Sequence, residues 1–360
     1  MSVLISDFDY ILPDERIAKF GPDKRGESRL LVLNRENGQI QDNWYKNLDQ
    51  YFEAGDLVIL NNTKVIPARI VGLKDSDQNS EIEILLTEFH ADADEKLENK
   101  VWKVIYRGKL KAGDRIKFNV SGSTESIQAE VQEILPGGLA NLQFSHDPIW
   151  LAEQIGQMPI PPYLKREESD FDRDRYQTEF ANVQGSVAAP TASLNFTNEL
   201  QERLKQKGVI IANVTLHVGL GTFMPVRTDR VDDHQMHSEY FEIPVETVKQ
   251  ICQVKQQGKK VLAVGTTVVR TLEYAADQLR KFSPDSLPAE SITGDSDIFI
   301  YPGYQFQVVD AMLTNFHAPR STPLLMVAAF SGQELMQQGY QQALEHEFMF
   351  LSYGDSMLIL

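Results

Sequence analysis

Three apolar runs in the C-terminal half of the chain each break into a loop of small and polar residues. They are Val214-Thr-Leu-His217-Val-Gly219-Leu-Gly221-Thr222-Phe223, Val261-Leu-Ala-Val-Gly265-Thr266-Thr267 and Val308-Val-Asp310-Ala-Met-Leu-Thr314-Asn315-Phe-His317. A strand that ends in such a loop and runs on into a helical pattern is the repeating unit of an α/β domain. There, ligands gather at the carboxyl ends of strands. Glycine lets backbone approach a ligand closely, threonine and asparagine offer neutral hydrogen-bonding groups, and histidine carries protons near neutral pH. The segment His234-Gln-Met-His237-Ser-Glu239 lies between the first two loops, so four of the seven histidines fall in this zone. The pattern predicts an active site.

The individual motifs narrow the chemistry. Gly219-Leu-Gly221 follows a strand, but Met224 stands where the dinucleotide fingerprint needs its third glycine, and there is no P-loop. After Gly265, the run Val268-Val-Arg270-Thr-Leu-Glu273 starts a helix that Thr266 or Thr267 would cap. The start of a helix attracts carboxylate or phosphate, although a cap alone also accounts for these threonines. Thr322 and Pro323 read as the cap and first residue of a later helix, which leaves Asn315, His317 and Arg320 unexplained by capping. His234, His237 and Glu239 do not have the spacing of the helical zinc-protease motif. They read as loop residues for proton transfer or polar recognition, and no metal is expected.

Along the chain the pattern changes twice. A helix over Pro13–Phe20 and a strand over Arg29–Leu33 come first. Strand-like runs then follow from Leu57 to Phe144, punctuated by Gly, Asn, Asp and Ser as in a small barrel. From about Trp150 strands alternate with helices, such as Asn198–Lys207, Pro244–Gln257, Val268–Phe282 and Pro323–Ala329. The expected fold is α/β: a mixed, mainly parallel sheet covered by helices, interrupted by an inserted antiparallel β-barrel domain. Residues 1–54 and 151–360 would form the α/β catalytic domain and 55–150 the barrel. Two polar segments, Lys165–Arg175 and Ser283–Asp297, read as surface loops or lids over the site.

A net charge of −16 and a pI near 4.9 argue against a protein that coats nucleic acid non-specifically. A local exception occurs in one stretch: Lys103, Arg107, Lys109, Lys111, Arg115 and Lys117 take odd positions, while Trp102, Val104, Tyr106, Leu110, Ile116 and Phe118 take even ones. This is the period of a half-buried strand pair, turned at Ala112-Gly113-Asp114, with its cations on one face. Such a face suits phosphates or simply guards a strand edge. Cys252, the single cysteine, falls beside Val248 and Ile251 on the apolar side of a helix and reads as an inert buried thiol. No apolar run is long enough to cross a bilayer and no secretory pattern opens the chain, so a cytoplasmic protein is expected.

At these residues the chain resembles the S-adenosylmethionine:tRNA ribosyltransferase-isomerases of queuosine biosynthesis. The resemblance spans nearly the whole length, through Ser28–Leu33, Asn61–Arg69, Pro161–Tyr163, Tyr176–Thr178, Gly185–Ala192, Leu216–Phe223, His234–Glu239, Val264–Thr267, Asp297–Gly303, Thr314–His317 and Ser352–Asp355. It implies transfer and isomerisation of the ribosyl part of S-adenosylmethionine onto 7-aminomethyl-7-deazaguanine at the tRNA wobble position. The product is epoxyqueuosine, and adenine and methionine are released. S-adenosylmethionine is then a consumed substrate, with no further cofactor, and the protein is expected to act as a monomer. His217, His237, Glu239 and His317 are the expected catalytic residues. Gly219, Gly221, Thr222, His234, Gly265, Thr266, Thr267, Arg270, Tyr301 and Asn315 would bind substrate, and Lys103, Arg107, Lys109, Lys111 and Arg115 would meet tRNA. Two stretches depart from the family pattern. Thr191-Ala-Ser193-Leu-Asn195 has Ser and Asn where Gly and His are usual, and Met349 stands where Arg is usual. These departures keep open a tRNA-binding paralogue with altered catalysis. The glycine-rich strand end also admits a methyltransferase.

Overall fold

The computed structural model describes residues 3–87, 101–122, 126–219 and 228–360. The chain enters through strands β1 (Arg29–Leu33), β2 (Ile40–Trp44), β3 (Leu57–Asn61) and β4 (Thr63–Val65). It then forms β5 (Arg69–Lys74), β6 (Asp77–Leu86), β7 (Val101–Arg107), β8 (Arg115–Phe118), β9 (Ile127–Leu135) and β10 (Leu139–Phe144). Helices α1 (Pro148–Ile155) and α2 (Asp170–Arg175), strand β11 (Val183–Ser186), helix α3 (Asn198–Gln206), and strands β12 (Ile210–Leu216) and β13 (Glu239–Ile243) follow. The remainder alternates: α4 (Val245–Gln256), β14 (Val261–Val264), α5 (Thr266–Tyr274), α6 (Ala276–Leu279), β15 (Ile292–Ser296), β16 (Ala311–Asn315), α7 (Thr322–Ser331), α8 (Gln333–Glu345) and β17 (Ser356–Ile359).

Among the described residues nine strands make one sheet, in the order β15-β13-β12-β3-β14-β16-β17-β1-β2. Its centre, from β12 to β16, is parallel, and antiparallel pairs flank it. The strands β5 to β10 close a separate antiparallel barrel, and β4 pairs with β11 in a short parallel ribbon. The α/β fold with an inserted barrel is therefore the observed architecture. The strand Leu57–Leu60, expected among the barrel strands, is instead β3 at the middle of the large sheet. All five of its residues are buried, as a strand covered on both faces requires.

Three local expectations are corrected. Pro13–Phe20 is not a helix but a single 3-10 turn, Asp14–Arg16. Beyond it the backbone is committed to a distant partner, with Ile17 bridging Phe350 and the Phe350 N–H donating to Arg16 O at 2.7 Å. Part of the second polar segment is edge strand β15, which pairs with β13. The caps also shift by a residue: Gly265 and Ser321 cap α5 and α7, so Thr266 and Thr322 are already helical. Gly265 has φ +93°, which excludes threonine from that position on steric grounds.

The basic strand pair is corrected more deeply. The alternation holds, since Trp102, Val104, Ile116 and Phe118 are buried in the barrel. The two strands nevertheless do not pair: β7 lies between β6 and β10, and β8 between β5 and β9. Gly108, at φ +125° where a Cβ would fall 2.6 Å from Ile82, lets the chain leave the ladder after Arg107 and cross to another wall. The cations are thus spread around the barrel and several meet acids: Arg115 with Glu130 at 3.2 Å, Lys117 with Asp75 at 2.6 Å, Arg107 with Glu83 at 3.8 Å.

Candidate active site

The carboxyl ends of β12, β14 and β16 open into one cleft of about 180 Å³. Val218, Gly265, Thr266, Thr267, Thr314, Asn315 and His317 line it on the sheet side. Asn61, at the end of β3, ties these strands together. Its amide donates to Leu216 O at 3.0 Å and to Thr267 Oγ1 at 3.3 Å, while its Oδ1 accepts from the N–H groups of Thr63 and Leu216, both at 3.1 Å. A buried amide satisfied on both sides fixes three chain segments at once. Asn315 is held likewise: its Oδ1 accepts from Thr191 Oγ1 at 2.7 Å and its amide donates to Asp355 O at 3.4 Å.

His317 is the candidate histidine that lines this cleft. Its N–H donates to the Tyr340 hydroxyl at 2.9 Å, its carbonyl accepts from Tyr10, and Nε2 lies 2.8 Å from Thr314 Oγ1. Loss of hydration around the ring pushes its pKa down to about 3, so the imidazole is neutral at pH 7. His217, one residue past the end of β12, does not line the cleft. Its Nδ1 lies 2.8 Å from Thr63 Oγ1 and its ring is stacked near Tyr240 at 6.0 Å between centroids. Gly185, at φ +142°, admits that ring, because a Cβ there would fall 2.8 Å from it.

Glu239, expected in a loop, opens strand β13 and is 4% exposed. Its Oε1 accepts the Gly219 N–H at 2.8 Å, and Oε2 pairs with Arg270. Arg270 is also buried and donates to Ser296 O at 2.8 Å and His237 O at 3.2 Å. The pair therefore pins the start of the Gly219 loop to α5. His237 is exposed, and its side chain does not join Glu239 in a ligand set. Among the described residues no group of three His, Cys, Asp or Glu side chains has the placement to hold a metal. His234 packs edge-on to Phe299, which packs on Tyr301; burial, and the neighbouring His237, lower the His234 pKa. The Tyr301 hydroxyl donates to Asp232 at 3.2 Å. Arg270 lines a small adjoining slot that shares Thr266 and Thr267 with the cleft. Gly221 and Thr222 lie outside the described residues.

The opposite wall was missed as a site, although its segments carried the family resemblance. Ala188–Ala192 forms one part and Tyr163 and Ser352 another, with the two hydroxyl oxygens 2.5 Å apart. Behind Ser352, Tyr353 donates to Asp172 at 2.6 Å. Asp172 is wholly buried and also accepts two bonds from Arg166, at 2.6 and 2.7 Å, and bonds from Ser169 N and Oγ at 2.9 and 3.0 Å. The segment Lys165–Arg175, read as a lid, is fastened to the cleft wall through this carboxylate. Asn195 does not line the cleft. It accepts the Gly26 N–H at 3.2 Å in a neighbouring surface groove. Met349 packs against the buried cluster that contains Leu194, Tyr176 and Tyr353, and its N–H donates to Asp355 at 2.8 Å.

The chain is similar over its whole length to known proteins. A family model described as "Queuosine biosynthesis protein" matches residues 5–359. A protein of Pelodictyon phaeoclathratiforme named S-adenosylmethionine:tRNA ribosyltransferase-isomerase is 48% identical over 355 residues, 98% of each chain. One of the same name from Aquifex aeolicus is 45% identical over 358 residues, 99% of each. The crystal structure of S-adenosylmethionine tRNA ribosyltransferase from Thermotoga maritima superposes with a TM-score of 0.54 at 34% identity, covering 98% of this chain and 100% of that one. With a family model spanning the cleft, the barrel and both halves of the large sheet, the chain belongs to the queuosine biosynthesis protein family.

Proposed function

We propose that this protein is an S-adenosylmethionine:tRNA ribosyltransferase-isomerase. It moves the ribosyl unit of S-adenosylmethionine onto 7-aminomethyl-7-deazaguanine at the wobble position and isomerises it to the epoxycyclopentanediol of epoxyqueuosine. Adenine and methionine leave. The observation that carries this reading is the convergence of Gly265–Thr267 and Asn315–His317 on one cleft, in a chain 48% identical to an enzyme of that name.

The sulfonium acidifies the adjacent C5′ proton, so one positioned base starts the sequence. The substrate amine must lose a proton before it attacks, and adenine takes one up as it leaves. Each such step draws on a general acid or base worth roughly 10²–10⁴-fold. His317, kept neutral by its surroundings, suits hydrogen bonding to substrate better than carrying a proton through the cycle. His217 and the exposed His237 remain the proton carriers in this reading. Glu239, with both oxygens engaged, sets the Gly219 loop and the Arg270 side chain. Gly219, Gly221, Thr222, Gly265, Thr266, Thr267 and Asn315 hold the nucleoside and methionine ends, with His234, Arg270 and Tyr301 along the adjoining slot. S-adenosylmethionine is substrate and no cofactor is required. tRNA is the second substrate, met by Lys103 and Arg107 on the β7 wall of the barrel; Lys109 and Lys111 lie on the crossing that follows, and Arg115, on the opposite wall, is paired with Glu130. The enzyme acts as a monomer in the cytoplasm, and no helix among the described residues is long and apolar enough to cross a membrane.

Product analysis with labelled S-adenosylmethionine and precursor-bearing tRNA tests the reading. Free adenine and methionine in equal amounts are expected. S-adenosylhomocysteine would make the protein a methyltransferase, and tRNA binding without any product would make it a non-catalytic paralogue.

A further inference from the structure

Arg320, which helix capping left unexplained, has φ +55°, a left-handed backbone that a bulky residue rarely adopts. It lies in the turn between β16 and α7, whose residues His317, Ala318, Pro319 and Ser321 line the active-site cleft. Two contacts hold Arg320 in this form. Its N–H donates to Phe8 O at 3.0 Å, and its guanidinium pairs with Asp9. The residue after Asp9, Tyr10, donates its hydroxyl to the His317 carbonyl.

All three contacts come from the segment Val3–Tyr10. It is anchored by Ile5 and Phe8, both buried in the main core, and none of its residues lines the cleft. At its other end it holds a second segment: the Ile5 N–H donates to Asp229 O at 3.0 Å, and the Val231 N–H donates to Val3 O at 3.1 Å. Asp229–Val231 leads directly to His234, so one strap ties together two stretches that carry candidate site residues. Both main-chain groups of His317 are taken by tyrosine hydroxyls. Tyr10 of the strap bonds the carbonyl, and Tyr340 of α8 accepts the N–H at 2.9 Å. The two rings meet edge to face, 5.3 Å apart, and both pack on Phe350, which holds their hydroxyls in place. A turn in a sparsely populated conformation persists only while its surroundings over-determine it, and here the strap supplies those surroundings.

Building on the reading of His317 as a substrate contact, we infer that Tyr10 and Arg320 are positioning residues for S-adenosylmethionine. Neither lines the cleft, and both act through the turn that does. Tyr10 sets the His317 carbonyl, and the left-handed backbone at Arg320 sets the path from Ala318 to Ser321. Together they fix where the imidazole and this wall of the cleft stand. If the Tyr10 bond is lost, Tyr340 still anchors the His317 N–H, so the turn shifts and does not unravel. The consequence is weaker ground-state binding of substrate with the chemical step spared, which raises KM and leaves kcat in place.

The test measures S-adenosylmethionine affinity by calorimetry, and KM and kcat for adenine release, on full-length variants well below their unfolding temperatures. Tyr10→Phe removes one hydroxyl and keeps the ring against Tyr340. It should weaken binding roughly 2- to 12-fold, the span of one net hydrogen bond, and raise KM by the same factor. Arg320→Val puts a β-branched residue where φ is positive. It should weaken binding more than Arg320→Gly, which accepts that φ and loses only the pair with Asp9. A merely structural role would lower Tm in these variants and leave affinity and KM at wild-type values, and that result would overturn the inference. So would an Arg320→Gly variant that binds as weakly as Arg320→Val. If the unmodified protein releases no adenine, the transferase reading fails alone. The inference is then decided by affinity: weaker S-adenosylmethionine binding in Tyr10→Phe upholds it, and equal binding overturns it.

Discussion

Replacing Asp172 by asparagine isolates the carboxylate that fastens Lys165–Arg175 to the cleft wall. Removing it from water raises its pKa, but Arg166, the Tyr353 hydroxyl and Ser169 outweigh that and hold it at about 2, below the ordinary 3.8. A folded-state pKa below the unfolded value gives stability that is complete above the unfolded pKa and lost as pH falls through the folded one. The shift corresponds to roughly 2 kcal/mol at pH 7, of which about half has gone at pH 3. Asparagine cannot supply this charge. It also turns an amide donor toward Arg166 and Ser169 and strands the guanidinium, 15% exposed, so a loss of about 3 kcal/mol at pH 7 is expected. Urea unfolding of both proteins from pH 7 down to pH 3 measures the difference directly, since the other carboxylates titrate alike in each. The gap should narrow by about 1 kcal/mol across that range. A gap under about 1 kcal/mol at pH 7, or one that does not change with pH, would refute the reasoning.

Three further outcomes are expected. Glu239→Gln should destabilise the fold by about 3 kcal/mol, because Arg270 is left buried without its counter-charge, and should slow adenine release without shifting its pH profile; a moved pH profile would identify Glu239 as a proton carrier instead. Gly185→Ala should displace the His217 ring, read as changed His217 resonances by NMR, with turnover reduced about 10²-fold if that imidazole carries a proton; an unchanged spectrum would refute the packing argument. Asn195→His should leave adenine release within about tenfold of the unmodified protein, because this position contacts Gly26 outside the cleft; a gain of about 10²-fold or more, the scale of one general acid or base, would show that position to be catalytic.

What the sequence determined on its own was everything that depends on near neighbours. The strands that end in Gly265 and near Asn315, the helices after them and the inward and outward faces of β7 and β8 are set by side-chain period and local steric limits. The relevant residues lie within a few positions of one another. That was enough to expect Gly265, Thr266, Thr267, Asn315 and His317 in one place, and all five line one cleft. Which strands pair, and which charges end up buried, was decided by the tertiary structure. Gly108 sends β8 to another wall of the barrel, and Phe350 takes the backbone bonds that a helix at Ile17 would have kept. Nothing in the charged run Lys165–Arg175 marks Asp172 as its buried member. Its burial depends on Tyr353, 181 residues away, and on Arg166 closing over it. Glu239 likewise became a buried, paired carboxylate because folding brought Arg270, 31 residues on, against it. Period is a property of a segment, whereas the pairing of strands and the solvation of a charge are set by groups the chain brings together only when it folds.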